Sequence, residues 1–177
     1  MDIRLQPVRQ EDEAFPRSVY ASTRADELAL TGWGPAFQAD FLVSQYDAQQ
    51  RYYRSQFATA EVRIVQCEDR DVGRLITECT ETEIRLIDIA LLPQYRGNGI
   101  GTFLLTSLME DAGREGKSIR LRVEQSNRAL HWYRSLGFEI TDEPGLYVAM
   151  AWTADAGASA TRSELRLEQD SAMVRRE

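Results

Sequence analysis

The run Gln94-Tyr95-Arg96-Gly97-Asn98-Gly99-Ile100-Gly101 places three glycines at alternate positions, after an apolar stretch and before an amphipathic one. With so few side chains in the way, successive backbone N–H groups can converge on an anion as the chain turns into a helix. The partial positive charge of that helix end adds to the attraction. This is chemistry for cradling phosphate. The dinucleotide fingerprint G-x-G-x-x-G fails at Thr102, and the loop follows the fourth expected strand instead of the first. The nucleoside-triphosphate loop fails as well, because Gly-Lys-Ser/Thr occurs nowhere in the chain. Glycines before a helix also serve as plain turn chemistry. Three of them behind the proline-ended strand Ile89-Ala90-Leu91-Leu92-Pro93 favour a ligand.

Other side chains with chemical potential flank this loop. Asp88 sits between Ile87 and Ile89, where a carboxylate must be partnered or face a wet cavity, since burial without a partner is costly. A structural aspartate bound to Arg85 or to backbone explains it equally well. Glu78 and Glu124 lie on strands that could border the same cleft. Asn127 reads as a helix cap and Tyr133 as an aromatic packed beside Trp132; His131 reads as a surface residue. Cys67 and Cys79 fall in neighbouring strands, where a hairpin centred near Arg70 would pair Cys67 with Gly73. Two buried thiols are expected, with neither a disulfide nor a structural zinc site.

These groups need a scaffold. Ile3, Leu5 and the Pro7-Val8 pair alternate with polar residues as a half-buried first strand. A helical pattern follows from Phe15 to Leu30, interrupted at Pro16, then loop residues Thr31-Gly32-Trp33-Gly34-Pro35 and a second helix from about Ala36 to Gln56. That second helix carries Phe37, Phe41, Tyr46, Tyr52 and Tyr53, residues that with Tyr20 and Trp33 would either wall a pocket or, more in keeping with helical spacing, form ordinary core. Strands at 61–67, 72–80 and 83–92 form an antiparallel meander. A helix with the stripe Ile100, Phe103, Leu104, Leu108, Met109 and Ala112 ends near Gly113 to Gly116, and Ile119, Leu121 and Val123 mark a strand parallel to the one before the loop. A helix from Ser126-Asn127 to Leu136 and two closing strands, 137–140 and 146–152, complete a mixed α/β sheet of about seven strands.

At 177 residues, with 43% hydrophobic and 28% charged, the chain suits one soluble domain over residues 1–152, with 153–177 a mobile tail. No apolar run approaches the roughly 20 residues of a membrane helix, and the opening residues Met1-Asp2-Ile3-Arg4-Leu5-Gln6 lack a secretory pattern, so the expected compartment is the cytoplasm. A net charge of -7 argues against nucleic acid as a partner. A homodimer through the late strands is compatible with the pattern and specified by nothing in it.

The Q-x-x-G-x-G pattern of Gln94, Gly97 and Gly99, followed by Asn127, Tyr133 and Leu136-Gly137-Phe138, resembles the GNAT superfamily of acetyl-CoA-dependent N-acyltransferases. The resemblance covers element order from Asp2 to Trp152 and specific residues from Asp88 to Phe138. It implies a GNAT-like fold with helices on both sheet faces and central parallel strands that splay. Pantetheine would then bond the backbone of Ile89, Ala90 and Leu91, and pyrophosphate would sit on Arg96, Gly97, Asn98, Gly99, Ile100, Gly101 and Thr102, with Asn127 as a further contact. It also implies acetyl-CoA as co-substrate, no metal, and a small-molecule or peptide amine as acceptor. In that frame Tyr133 is the acid candidate and Asp88 the base candidate; a coenzyme A-binding module without turnover is the alternative, and a nucleotide-binding protein a third. One departure stands out. Asn127 and Tyr133 are six apart where the family more commonly has seven, so Ser126 takes the ungapped asparagine position.

Overall fold

The computed structural model describes residues 1–142 and 145–154. Most of the expected tail, residues 155–177, lies outside the described residues. The strands are β1 (Ile3–Pro7), β2 (Glu61–Cys67), β3 (Arg70–Cys79), β4 (Glu83–Leu91), β5 (Ser118–Glu124), β6 (Glu139–Ile140) and β7 (Tyr147–Trp152), and they form one sheet in the order β1-β2-β3-β4-β5-β7-β6. Four helices accompany them: α1 (Ala14–Ala29), α2 (Pro35–Gln56), α3 (Ile100–Glu115) and α4 (Ala129–Ser135). The pairs β1–β2, β2–β3, β5–β7 and β6–β7 are antiparallel. The crossover from β4 through α3 to its sheet neighbour β5 is what makes the sheet mixed. No helix among the described residues is long and apolar enough to cross a membrane.

The chain divides into two compact units, residues 1–79 with 86–105, and residues 80–85 with those from 106 onward. In the first, β3 is buried over seven consecutive residues from Val72 to Glu78, the signature of a strand covered on both faces. Val19, Tyr20, Ile64, Val65, Leu75 and Ile76 supply its core. In the second, Ile119, Leu121 and Val123 alternate inward from β5 with Val148, Met150 and Trp152 of β7.

Several sequence expectations are corrected. Pro16 does not interrupt α1, because it stands in the first turn, where its missing N–H would have had no intrahelical acceptor. Pro35 is the first residue of α2, not the end of a loop, for the same reason. Cys67 pairs with Arg70, and Gly73 pairs with Val65. Two features shift the register: a two-residue turn at Glu68 and Asp69, both at positive φ (51° and 62°), and an extra residue, Val72, between the pairs Val65–Gly73 and Gln66–Asp71. Cys79 is exposed and Cys67 half-buried, so neither thiol is core. Phe103 is 46% exposed, and Leu105, absent from the expected stripe, takes the buried place. No residue of α2 is buried, so of the aromatics expected as core only Tyr20 is.

Candidate functional site

The apolar strand β4 ends at Leu91, and a single 3-10 turn, Pro93–Tyr95, carries the chain into the glycine run. Gly97 and Gly99 adopt φ of 76° and 79°, a region in which a Cβ would be strained. A Cβ built at either would meet nothing within 4 Å, so these glycines serve backbone shape and border open space. Ile100, 2% exposed, anchors the start of α3 in the core. The Phe103 N–H donates to the Gly99 carbonyl at 2.9 Å, which leaves the N–H groups of Ile100 and Gly101, in the first turn, without an intrahelical acceptor. Arg96, Gly97, Asn98 and Gly99 are exposed. A ribbon of this shape fits a pyrophosphate-bearing ligand: open space over positive-φ glycines, next to a helix N-terminus.

The Arg96 side chain is turned back on the protein. Its Nε donates to the Leu91 carbonyl at 2.8 Å, and its Nη2 reaches the Ser22 carbonyl at 3.4 Å. It therefore ties the loop to β4 and α1, a positioning role that the sequence did not suggest.

Ile89 and Leu91 are half-buried and Ala90 is 8% exposed. Opposite them stands Gly73 of β3, where a Cβ would lie 2.3 Å from the Ala90 carbonyl oxygen and 2.6 Å from Leu91 Cδ2. No side chain fits at that approach. The Leu92 N–H donates to the Val72 carbonyl at 2.9 Å, so the extra residue of β3 also holds the end of the β4 segment.

Asp88 faces Arg74, not the Arg85 expected from sequence. Arg74 Nε donates to Asp88 Oδ2 at 2.7 Å, while Arg85 bonds Glu83. Arg74 is 1% exposed and its other nitrogens are engaged: Nη1 donates to the Pro16 carbonyl at 3.3 Å and Nη2 to Gln49 Oε1 at 3.0 Å. The Tyr20 and Tyr46 rings lie 5.7 and 5.8 Å from its guanidinium carbon. Burial pushes the Asp88 carboxyl above its ordinary value, while Arg74 and the more distant Arg24 pull it back down. Glu78 is committed elsewhere, accepting from the Thr59 N–H and hydroxyl. Gly73 and Arg74 were missed in the sequence because each becomes informative only when β3 is laid beside β4.

Asn127 and Tyr133 lie in the second unit. Asn127 is exposed, and its Oδ1 accepts from the Ala129 N–H at 2.9 Å, an Asx turn that leads into α4 while Arg128 takes the cap position. The helix it precedes begins at Ala129, later than expected. Tyr133 is 7% exposed and packs edge-on against Phe138 at 5.7 Å and beside Trp132 at 4.9 Å. Glu124 accepts from the Tyr147 hydroxyl at 3.3 Å, and His131 is on the surface.

Residues 55–140 match the family model described as an acetyltransferase (GNAT) domain. Over 72 residues the chain is 35% identical to [ribosomal protein bS18]-alanine N-acetyltransferase of Haemophilus influenzae, a match covering 40% of this chain and 49% of that protein. The chain thus spans about half the length of this relative. In structure it is similar to the PaiA N-acetyltransferase of Thermoplasma acidophilum solved in complex with coenzyme A, with TM-score 0.64, 19% identity, and 86% and 99% of the two chains covered. It is also similar to the ribosomal-protein-S18-alanine N-acetyltransferase of Escherichia coli, with TM-score 0.57, 20% identity, and 86% and 94% covered. At these identities the structural likeness establishes the shared fold.

Proposed function

We propose that this protein transfers an acetyl group from acetyl-CoA to a primary amine of a small molecule, peptide or protein. The observation that carries the reading is the exposed ribbon from Arg96 to Gly99, with two positive-φ glycines at the head of α3 inside the stretch that matches the GNAT family. The ribbon's N–H groups and the helix end would hold the pyrophosphate, with Thr102 in the same first turn and Asn127 as a further contact. The backbone of Ile89 to Leu91 would hold pantetheine, and an N–H near Leu91 would steady the carbonyl oxygen as it gains charge.

The reaction is direct. The amine nitrogen forms a bond to the acetyl carbon, the carbon–sulfur bond breaks, the amine loses a proton and the sulfur gains one, and no covalent enzyme intermediate is needed. Tyr133 is proposed as the acid at sulfur and Asp88 as the base at nitrogen, acting directly or through water. The protein has no span that would tie it to a membrane among its described helices, and the cytoplasm is the proposed compartment.

One observation favours a second reading, a coenzyme A-binding module without turnover: Asp88 is already occupied by Arg74 at 2.7 Å. A thermal-shift titration with acetyl-CoA followed by thiol-release assays across amine classes separates the two. Stabilisation with thiol release supports the transferase. Stabilisation without release on any acceptor supports the module, and no stabilisation removes both.

A further inference from the structure

Within the first unit a pocket of about 460 Å³ opens between the start of α1, the second half of α2, and Val8 and Val62 beside β1 and β2. Tyr46, Asp47, Gln50, Arg51 and Arg54 line it from one face of α2, at the spacing of a single helical stripe. Its charges do not cancel. Arg17 lies 3.8 Å from Asp47 and its guanidinium carbon stands 5.5 Å from the Tyr46 ring centroid. Arg51 and Arg54 have no acidic partner among the described residues, and the remaining acid of the lining, Glu13, stands just before α1. The lining thus holds three arginines, Arg17, Arg51 and Arg54, against two acids, Glu13 and Asp47, a positive balance in a chain of net charge -7. Apolar surface from Val8, Pro16 and Val62 and the Tyr46 ring complete the walls. Tyr46 stays a neutral hydroxyl donor: burial pushes its pKa up, while Arg74, Arg17 and Arg54 pull it down.

We propose that this pocket binds a small organic anion, with its carboxylate or phosphate group forked by Arg51 and Arg54 and its carbon skeleton against Tyr46 and Pro16. Guanidinium groups suit either anion because both offer paired oxygens in the fork geometry. Pro16 and Tyr46 also contact Arg74, so the occupant lies one residue layer from the Arg74–Asp88 pair. The site uses none of the glycine loop and stands whether or not the chain transfers acetyl groups.

The test is a thermal-shift titration of the full chain with citrate and, separately, with glycerol 3-phosphate, at constant ionic strength, without and then with coenzyme A. At least one probe should stabilise saturably. Citrate alone assigns the polycarboxylate class and glycerol 3-phosphate alone the phosphate class. Arg51→Gln/Arg54→Gln, two exposed changes on the helix surface, should weaken the responding probe by about tenfold or more, from two charge-assisted contacts. Arg128→Gln/Arg134→Gln, the same charge change in the second unit, should leave it intact. The proposal is overturned if neither probe saturates, if the Arg51/Arg54 variant binds as tightly as the parent, or if coenzyme A displaces the probe, which would put the anion on the glycine loop.

Discussion

Arg74 and Asp88 form an ion pair of 2.7 Å between β3 and β4 in which the guanidinium side chain is 2% exposed and the carboxylate side chain 23%. The cation is immobilised from four directions, by Pro16, Gln49, Tyr20 and Tyr46. The carboxylate is thus held in a fixed place and still reached by water.

Arg74→Met should lower stability by about 3 kcal/mol, because it leaves a largely buried carboxylate without its partner. Urea denaturation measures this directly. Arg74→Lys should recover only part of the loss, since an ammonium cannot serve three acceptors in the guanidinium plane. A loss below about 0.5 kcal/mol for the methionine variant would mean that solvent already screens the pair.

The raised Asp88 value has a signed consequence. The folded chain keeps this proton at pH values where the unfolded chain has released it, so between the ordinary carboxylate range and the raised value stability falls as pH rises. Asp88→Asn should abolish that slope, and the stability of the variant relative to the parent should climb with pH across the window. If Asp88 is the base, kcat/KM of the parent should rise through the raised value, and this acid limb should be missing in the variant.

At the loop, Gly97→Ala should cost about 1 kcal/mol of stability through its positive φ alone, and Gly97→Asn less, because the space around the position is open. Gly99→Trp should fill that space and remove the thermal shift given by coenzyme A. A retained shift would place the ligand elsewhere.

Gly73→Ala should be more damaging than Gly97→Ala, by about 2 kcal/mol, since the new carbon must displace the Ala90 carbonyl or separate the strands. Amide chemical shifts of Ala90 and Leu91 should move most. An unchanged spectrum with parental stability would show that β4 yields at no cost.

For Tyr133→Phe the expected split is a lower kcat with coenzyme A affinity nearly intact. Equal turnover would leave Tyr133 its packing role against Phe138.

Local signals made much of this readable. Alternation located β5 residue by residue, and the glycine run located the head of α3, because both depend on neighbours in the chain. Pairwise relations were not readable. Arg74 carries no signal of its own within its strand, and Arg85 offers itself as a partner for Asp88 because it is close in sequence. The hairpin register was misjudged since Glu68 and Asp69 accept positive φ without a glycine to announce it. The aromatics of α2 have helical spacing, which does not reveal whether anything covers them.

The 22 residues of α2 include none that is buried, yet this helix supplies Gln49 and Tyr46 to Arg74 and Arg51 and Arg54 to the anion pocket. An element with so little apolar anchorage opens at small free energy, so its amides should exchange with deuterium well before those of β3. A cation held by Asp88, Pro16, Gln49 and two tyrosine rings is therefore enclosed partly by a weakly anchored helix, and a ligand that docks on α2 tightens that enclosure by slowing its opening.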